Sequence, residues 1–178
     1  MAKGAPFRLN HIMSSNRFGS ILSAIFFTNK EVTYEDGLLH LFQLEEDWNQ
    51  NMAQHFLPSW INVLDEPMME WFNKWDPVFM CIVRKPYPFG NERHTICYAV
   101  TSILWRAHTM EGKDRSNQIG KNKWEELGNT VGIILRMYKP RFSTGKCVVL
   151  DSGFCVSKGI IALLEFGVYA AALIKKHK

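Results

Sequence analysis

The chain has 178 residues, of which 47% are hydrophobic and 21% are charged, and its formal net charge is +4. This length is enough to bury a substantial core, and the apolar content excludes a disordered chain. No apolar stretch is long enough to span a membrane, and the first residues lack the apolar core of a signal peptide, so we expect an intracellular protein.

The first third of the chain has the pattern of helices. Ser14 and Ser15 precede an apolar pattern that begins near Phe18, and further helical patterns include Leu38–Phe42 and Met52–Phe56. Serine side chains commonly cap helix N-termini. We therefore expect residues 10–56 to form a small helical subdomain that leads into a sheet within residues 57–178.

Two aspartates each follow a short apolar run. The runs Trp60–Asp65 and Cys147–Asp151 are too short for helices and rich in β-branched or aromatic residues, which predicts buried strands. Two carboxylates held at neighbouring strand ends can bind a hard divalent cation. An aspartate after a strand is also an ordinary turn residue or helix cap, and for either residue alone that interpretation is favoured.

The segment between the two aspartates predicts a hairpin followed by a helix. Arg93–Val100 and Ser102–Thr109 have the composition of two strands joined by a tight turn. A helix is then indicated by apolar residues that recur on one face, namely Trp124, Leu127, Val131, Ile134, Leu135 and Tyr138. A helical crossover makes the strands before and after it parallel, so the strands that end at Asp65 and Asp151 should be parallel.

Other polar residues near these strands are expected to be structural. Glu66 should point to the face of its strand opposite to that of Asp65, because successive side chains alternate. His94 and His108 lie on the predicted hairpin strands. Histidines in such positions are more often satisfied core or surface residues than metal ligands.

After Asp151 the pattern predicts a helix capped by Ser157 and ended by Gly167, and then a fifth strand at Tyr169–Ile174. The complete order is that of the ribonuclease-H-like fold. The predicted fold class is therefore α/β, with a ribonuclease-H-like mixed sheet preceded by a small helical subdomain.

The chain also contains an ordered set of distinctive segments, which are Asn16–Leu22, Ala24–Phe27, Leu57–Met68, Arg84–Asn91, Val149–Phe154 and Gly167–Lys175. This set resembles the transposase domain of the piggyBac family from about Phe18 to the end of the chain. The resemblance implies a DDE/D transposase that uses magnesium for DNA cleavage and strand transfer. In that family, as the resemblance implies, Asp65 would bridge two magnesium ions and Asp151 would bind one of them.

The resemblance also implies that this chain lacks the family's third metal-binding aspartate. The third aspartate of the family lies beyond the segment that Lys175 ends, so we expect a copy truncated before that residue, with little activity and with magnesium bound weakly or not at all. The four cysteines show no Cys-x-x-Cys pair, which departs from the family's C-terminal zinc module.

Charge is distributed unevenly along the chain. Residues 31–76 carry a net charge of −9 and residues 77–178 a net charge of +9. A basic half suits a polyanion, and we expect DNA phosphates to contact the basic residues of one polar segment, which are Lys113, Arg115, Lys121 and Lys123. By itself, a solvated loop is the favoured interpretation of that segment.

Three functional hypotheses stay open at this point. The first is a piggyBac-like transposase domain, truncated or inactive in this copy. The second is a domesticated domain that binds DNA or a protein partner without catalysis. The third is an unrelated α/β domain in which both aspartates are caps. The first hypothesis implies a nuclear protein, DNA as the partner and a homodimer as a further expectation, and all three exclude a membrane partner.

Overall fold

A mixed sheet of seven strands forms the centre of the described part of the protein. The computed structural model describes residues 11–25, 39–70, 78–110 and 124–174. The strands are β1 (Ile61–Asp65), β2 (Met68–Glu70), β3 (Met80–Cys81), β4 (Phe89–Tyr98), β5 (Leu104–Thr109), β6 (Cys147–Leu150) and β7 (Tyr169–Ala172).

Four helices lie in the same described residues. They are α1 (Ser15–Ala24), α2 (Leu39–His55), α3 (Asn129–Tyr138) and α4 (Ser157–Glu165). Short 3-10 helices are formed by Glu125–Leu127, Lys139–Arg141 and Ser152–Phe154. None of the helices in this part of the chain is long and apolar enough to cross a membrane.

The sheet has the order β2-β4-β1-β6-β7, and β3 and β5 also pair with β4. Strand β1 is antiparallel to β4 and parallel to β6, and β6 is parallel to β7. The chain passes from β5 through α3 to β6, so a helical crossover precedes the parallel pairing as expected. The predicted order of strand, hairpin, helix and strand is thus the observed one.

One face of the sheet is covered by α3 and α4 and contains the main core, and we call it the covered face. Leu64, Val148 and Leu150 are almost fully buried there. They belong to one hydrophobic cluster with Ile134 of α3 and Leu163 of α4. Burying branched side chains of this size contributes about 1.5–3 kcal/mol each, so this layer holds the parallel strands in place.

Helix α2 packs against β5 through buried polar groups. Asn49 donates from Nδ2 to the Ala107 carbonyl at 2.7 Å and accepts from the Ala107 amide at 2.9 Å. Glu45 accepts from the Thr109 amide at 2.8 Å and from Arg93 Nε at 2.7 Å. These bonds attach the predicted helical subdomain to the sheet, and the boundary between residues 56 and 57 remains a prediction.

Several local predictions were wrong in detail. Strand β4 begins at Phe89, before the expected start, and the short strands β2 and β3 pair with its early part. Helix α3 begins only at Asn129, because Gly128 has φ 94 and interrupts the helical backbone before it. Leu127 is therefore exposed and does not join the predicted apolar face.

The two predicted serine caps have different outcomes. Ser14 caps α1, because its side chain accepts a hydrogen bond from the Arg17 amide at 3.3 Å. At α4 the N-cap position is occupied by Val156 without a side-chain bond, so the cap predicted at Ser157 was wrong. The prediction that Gly167 ends this helix is confirmed, since the residue has φ 68 and follows the end of α4.

Asn62 connects three elements within the core. It is fully buried, accepts a hydrogen bond from Trp105 Nε1 at 3.0 Å and donates one to the Tyr138 hydroxyl at 2.9 Å. The rings of Trp105 and Tyr138 also meet edge to face at 6.2 Å. Burial raises the pKa of Tyr138 to about 12, so the hydroxyl stays protonated at neutral pH.

We expect Asn62→Ala to lower the free energy of unfolding by about 3 kcal/mol, because it leaves the indole N–H and the phenol buried without partners. Tyr138→Phe leaves only one buried group, the Asn62 amide N–H, without its partner and should cost about 1–2 kcal/mol, so it is the matched comparison. Urea unfolding followed by tryptophan fluorescence measures both values. A cost for Asn62→Ala no larger than that of Tyr138→Phe would contradict the central role of Asn62.

Candidate active site

Asp65 and Asp151 lie at the same edge of the sheet. Leu64 of β1 is opposite Leu150 of β6 in the parallel register, so the next residue of each strand is one of the two aspartates. The Asp151 amide donates to the Leu64 carbonyl at 3.3 Å and thereby continues the ladder to that residue. The structure therefore brings the two predicted residues to the ends of adjacent parallel strands.

Alternation along β1 places Asp65 on the face opposite to the covered face. Asn62 and Leu64 are buried, whereas Val63 is partly buried and Asp65 is exposed. Successive side chains of a strand point to opposite faces, so Asp65 projects away from α3 and α4. Asp151 is partly buried, and it follows β6 with an extended backbone at φ −63 and ψ 164. Their hard oxygen atoms are the ligands that magnesium prefers.

The interpretation of both aspartates as caps receives little support. Asp151 occupies the N-cap position of the 3-10 helix Ser152–Phe154, but its side chain makes no cap hydrogen bond. The Asp65 carboxylate accepts a bond from the amide of the next residue, Glu66, at 2.8 Å. Thr95 Oγ1 donates to the Asp65 carbonyl at 3.4 Å, which also fixes the backbone at this strand end.

Glu66 lies on the covered face, as the sequence predicted, and belongs to a network of charges. Arg84 contacts Glu66 Oε1 at 3.3 Å, and Lys85 Nζ is 3.8 Å from the same oxygen and 3.8 Å from Glu92 Oε1. Lys85 also donates to the Glu66 carbonyl. The loop before β4 is thus attached to the backbone directly after Asp65.

His94 lies beside this network, in the interior. Its side chain is 2% exposed, its ring meets Phe154 edge to face at 5.6 Å, and its Nδ1 has no hydrogen-bond partner among the described residues. Burial, with the positive charges of Arg136 and Lys85, lowers the pKa of His94 to about 4, so the imidazole is neutral at pH 7. The sequence-based view of this histidine as a satisfied residue was therefore wrong for Nδ1.

A group of three metal-ligating side chains exists in the described residues. Glu66, Glu92 and His94 each offer one ligand atom, and these atoms lie within 4.8 Å of one another. Asp65 and Asp151 do not belong to such a group of three within the part of the chain that the structure describes. Sequence reasoning missed the participation of Glu92, because the contact depends on how β4 aligns with β1.

The predicted DNA contacts belong to the segment of sequence between β5 and α3. Lys113, Arg115, Lys121 and Lys123 lie outside the described residues. Their role in binding stays a prediction that rests on charge.

Comparisons with known proteins address the family and the fold. The profile of the family described as Transposase IS4 matches residues 4–178. No curated protein sequence matches the chain. The structure is similar to a chain in the cryo-EM structure of a piggyBac transposase synaptic complex with hairpin DNA, with a TM-score of 0.72 and 16% sequence identity.

That structural match covers 94% of this chain and 34% of the piggyBac transposase chain, so the present chain spans about a third of that protein's length. At this level of identity the likeness concerns the fold, and it confirms the predicted α/β architecture with a mixed sheet. The family match extends over nearly the whole chain and confirms the expected transposase domain. The chain belongs to the Transposase IS4 family.

Proposed function

We propose that this chain forms part of a DDE/D transposase catalytic core in which Asp65 and Asp151 bind magnesium for DNA cleavage and strand transfer. The observation that supports this most directly is the placement of both carboxylates at the ends of β1 and β6, which are adjacent and parallel. Rigid strand ends hold ligand positions better than loops do. Membership of a transposase family makes phosphoryl transfer the reaction to test.

The residues fit the chemistry of a hard cation. Bound magnesium would supply charge stabilisation for the attacking and leaving oxygens of the phosphodiester. Asp65 and Asp151 would hold it, while the Thr95 hydroxyl and the Glu66 amide keep the Asp65 backbone and carboxylate in one orientation. A third carboxylate is implied by the resemblance, and we propose that in the longer relatives a later segment supplies it.

DNA is the proposed partner, and the nucleus the proposed location. Residues 77–178 carry a net charge of +9, so this half attracts phosphates and releases their counterions on binding. Among the described residues, Arg84, Lys139 and Lys158 are exposed cations of this half. Homodimer formation and the division into residues 10–56 and 57–178 are parts of the same proposal.

A second candidate is a domesticated domain that binds DNA without cutting it. This candidate is favoured by the absence, within the described residues, of a third carboxylate grouped with Asp65 and Asp151. Both candidates bind DNA through electrostatic contacts, and they differ in whether the protein cleaves it. Cleavage and binding must therefore be measured separately.

For cleavage, we expect the 178-residue chain to nick a transposon-end duplex slowly or not at all in magnesium, because two carboxylates hold one ion loosely. Extending it past Lys178 with the corresponding segment of a full-length relative should restore cleavage. In the extended chain, Asp65→Asn or Asp151→Asn should lower the single-turnover rate about 100-fold or more, since several kcal/mol of charge stabilisation disappear.

Glu165→Gln is the matched control for this series, because Glu165 is an exposed carboxylate at the end of α4, distant in sequence from both strand ends. Its rate should equal that of the unsubstituted extended chain. Undiminished cleavage by the Asp151→Asn protein would show that the assigned site is wrong. Fast turnover by the 178-residue chain would show that no further carboxylate is needed.

For binding, we expect affinity for duplex DNA to fall steeply with salt concentration, with little dependence on sequence. Combined substitution of four basic residues to alanine should make this dependence weaker. The slope of the logarithm of the binding constant against the logarithm of the salt concentration should fall by up to about 0.9 for each phosphate that the protein no longer neutralises. The four positions are Lys113, Arg115, Lys121 and Lys123. Fluorescence anisotropy at several salt concentrations measures the slope.

The control for binding is Asp65→Asn, which changes the proposed metal site and no basic residue. This variant should retain the affinity and slope of the unsubstituted chain. If the fourfold variant also retains both, DNA is contacted elsewhere or not at all.

A further inference from the structure

A second set of metal-ligating groups lies behind the edge that carries Asp65. In the antiparallel register of β1 and β4, Asp65 is opposite Thr95, so the next positions are Glu66 and His94. Glu92 is two residues from His94 and shares its face of β4. The pleat of the sheet therefore separates this set, on the covered face, from the Asp65 carboxylate.

His94 gives an independent indication of a ligand. A histidine ring atom buried to this extent normally has a hydrogen-bond partner, yet Nδ1 of this 2% exposed side chain has none in the described part of the chain. A neutral imidazole keeps one nitrogen lone pair that a metal can accept. The ring offers its ligand nitrogen within 4.8 Å of the Glu66 and Glu92 oxygens.

The two carboxylates are only partly compensated. Glu66 and Glu92 place two carboxylates side by side, with ligand oxygens within 4.8 Å of each other, and Arg84 contacts Glu66 Oε1 at 3.3 Å. Lys85 Nζ lies between them at 3.8 Å from an oxygen of each, too far for a good hydrogen bond. On another side, a Cβ added at Gly153 would stand 3.1 Å from Glu66 Oε1, so the absence of a side chain there leaves room for the carboxylate.

We propose that Glu66, Glu92 and His94 bind a divalent transition-metal cation such as zinc, for which the ammonium of Lys85 competes. One imidazole and two carboxylates are a donor set that zinc accepts, with ligand distances of about 2.0–2.2 Å. Magnesium prefers oxygen ligands alone, so the two sites differ in the cation that they select. Bound zinc would fix Glu66, the neighbour of Asp65, without taking part in phosphoryl transfer. This site is independent of the proposed function.

The test is a titration of the 178-residue chain with cobalt(II), followed by its visible absorption and then by displacement with zinc. We expect one high-affinity site whose affinity falls at least about 10-fold in His94→Gln and in Glu92→Gln, since each removes one of three ligands. His108→Gln is the matched control, because that ring stacks on His94 at 6.5 Å but does not belong to the group. Its affinity should be unchanged.

Lys85→Met should bind the metal more tightly than the unsubstituted chain, because it removes the competing ammonium. This variant keeps the test decisive if a substitution of His94 prevents folding, which circular dichroism would show. Weaker or unchanged binding by Lys85→Met would overturn the proposal. So would a thiolate charge-transfer band, which would assign the metal to the free cysteines at positions 81, 97, 147 and 155.

Variants at the other site separate the two proposals. Asp65→Asn and Asp151→Asn should leave cobalt affinity unchanged, although both should lower the rate of magnesium-dependent cleavage by the extended chain about 100-fold or more. Loss of cobalt binding in either aspartate variant would overturn the second site. If the extended chain does not cleave DNA but the protein still binds cobalt, only the proposed function is contradicted.

Discussion

The parallel pairing of β1 and β6 is the constraint on which the proposed site depends. It is set by register, with Leu64 opposite Leu150, and both side chains are buried beneath α3 and α4. A shift of one residue would turn each apolar side chain towards the opposite face and expose it to water. Because the core fixes the register, it also fixes which residues follow the strands at the shared edge. The positions of Asp65 and Asp151 are therefore a consequence of hydrophobic packing along the strands that precede them.

Buried polar groups in this protein fall into two kinds. Asn62 and Glu45 are satisfied by partners from other elements, so they connect strands to helices in the described structure. His94 differs, because it is equally buried and no group of the residues that the structure describes bonds to its Nδ1. Satisfied groups contribute about 0.5–1.5 kcal/mol each, whereas an unsatisfied one costs about 1–3 kcal/mol. Because His94 carries this cost in a buried position beside two carboxylates, we propose that it ligates a metal there.

Much of the fold was predictable because its signals are local. The apolar runs before Asp65 and Asp151 and the helical pattern between them define the strand order without knowledge of contacts. Strands β2 and β3 were missed because two or three residues carry no periodicity, and their pairing with the early part of β4 creates them. The grouping of Glu66 with Glu92 and His94 was missed for a related reason. It depends on the alignment of β1 with β4, which the spacing of residues along the chain does not reveal.

Two consecutive carboxylates at the end of β1 belong to two different proposed metal sites. Asp65 and Glu66 are consecutive carboxylates, yet the pleat directs the first to the exposed face and the second to the covered face. Glu66 is held by Lys85 and Arg84, so its backbone amide is in a fixed place to donate to the Asp65 carboxylate. A charge network on one face is thereby linked, through the Glu66 backbone, to a proposed magnesium ligand on the other. Substitutions in the loop before β4 are consequently expected to act on Asp65 through the backbone, although they contact neither DNA nor magnesium in the proposed arrangement.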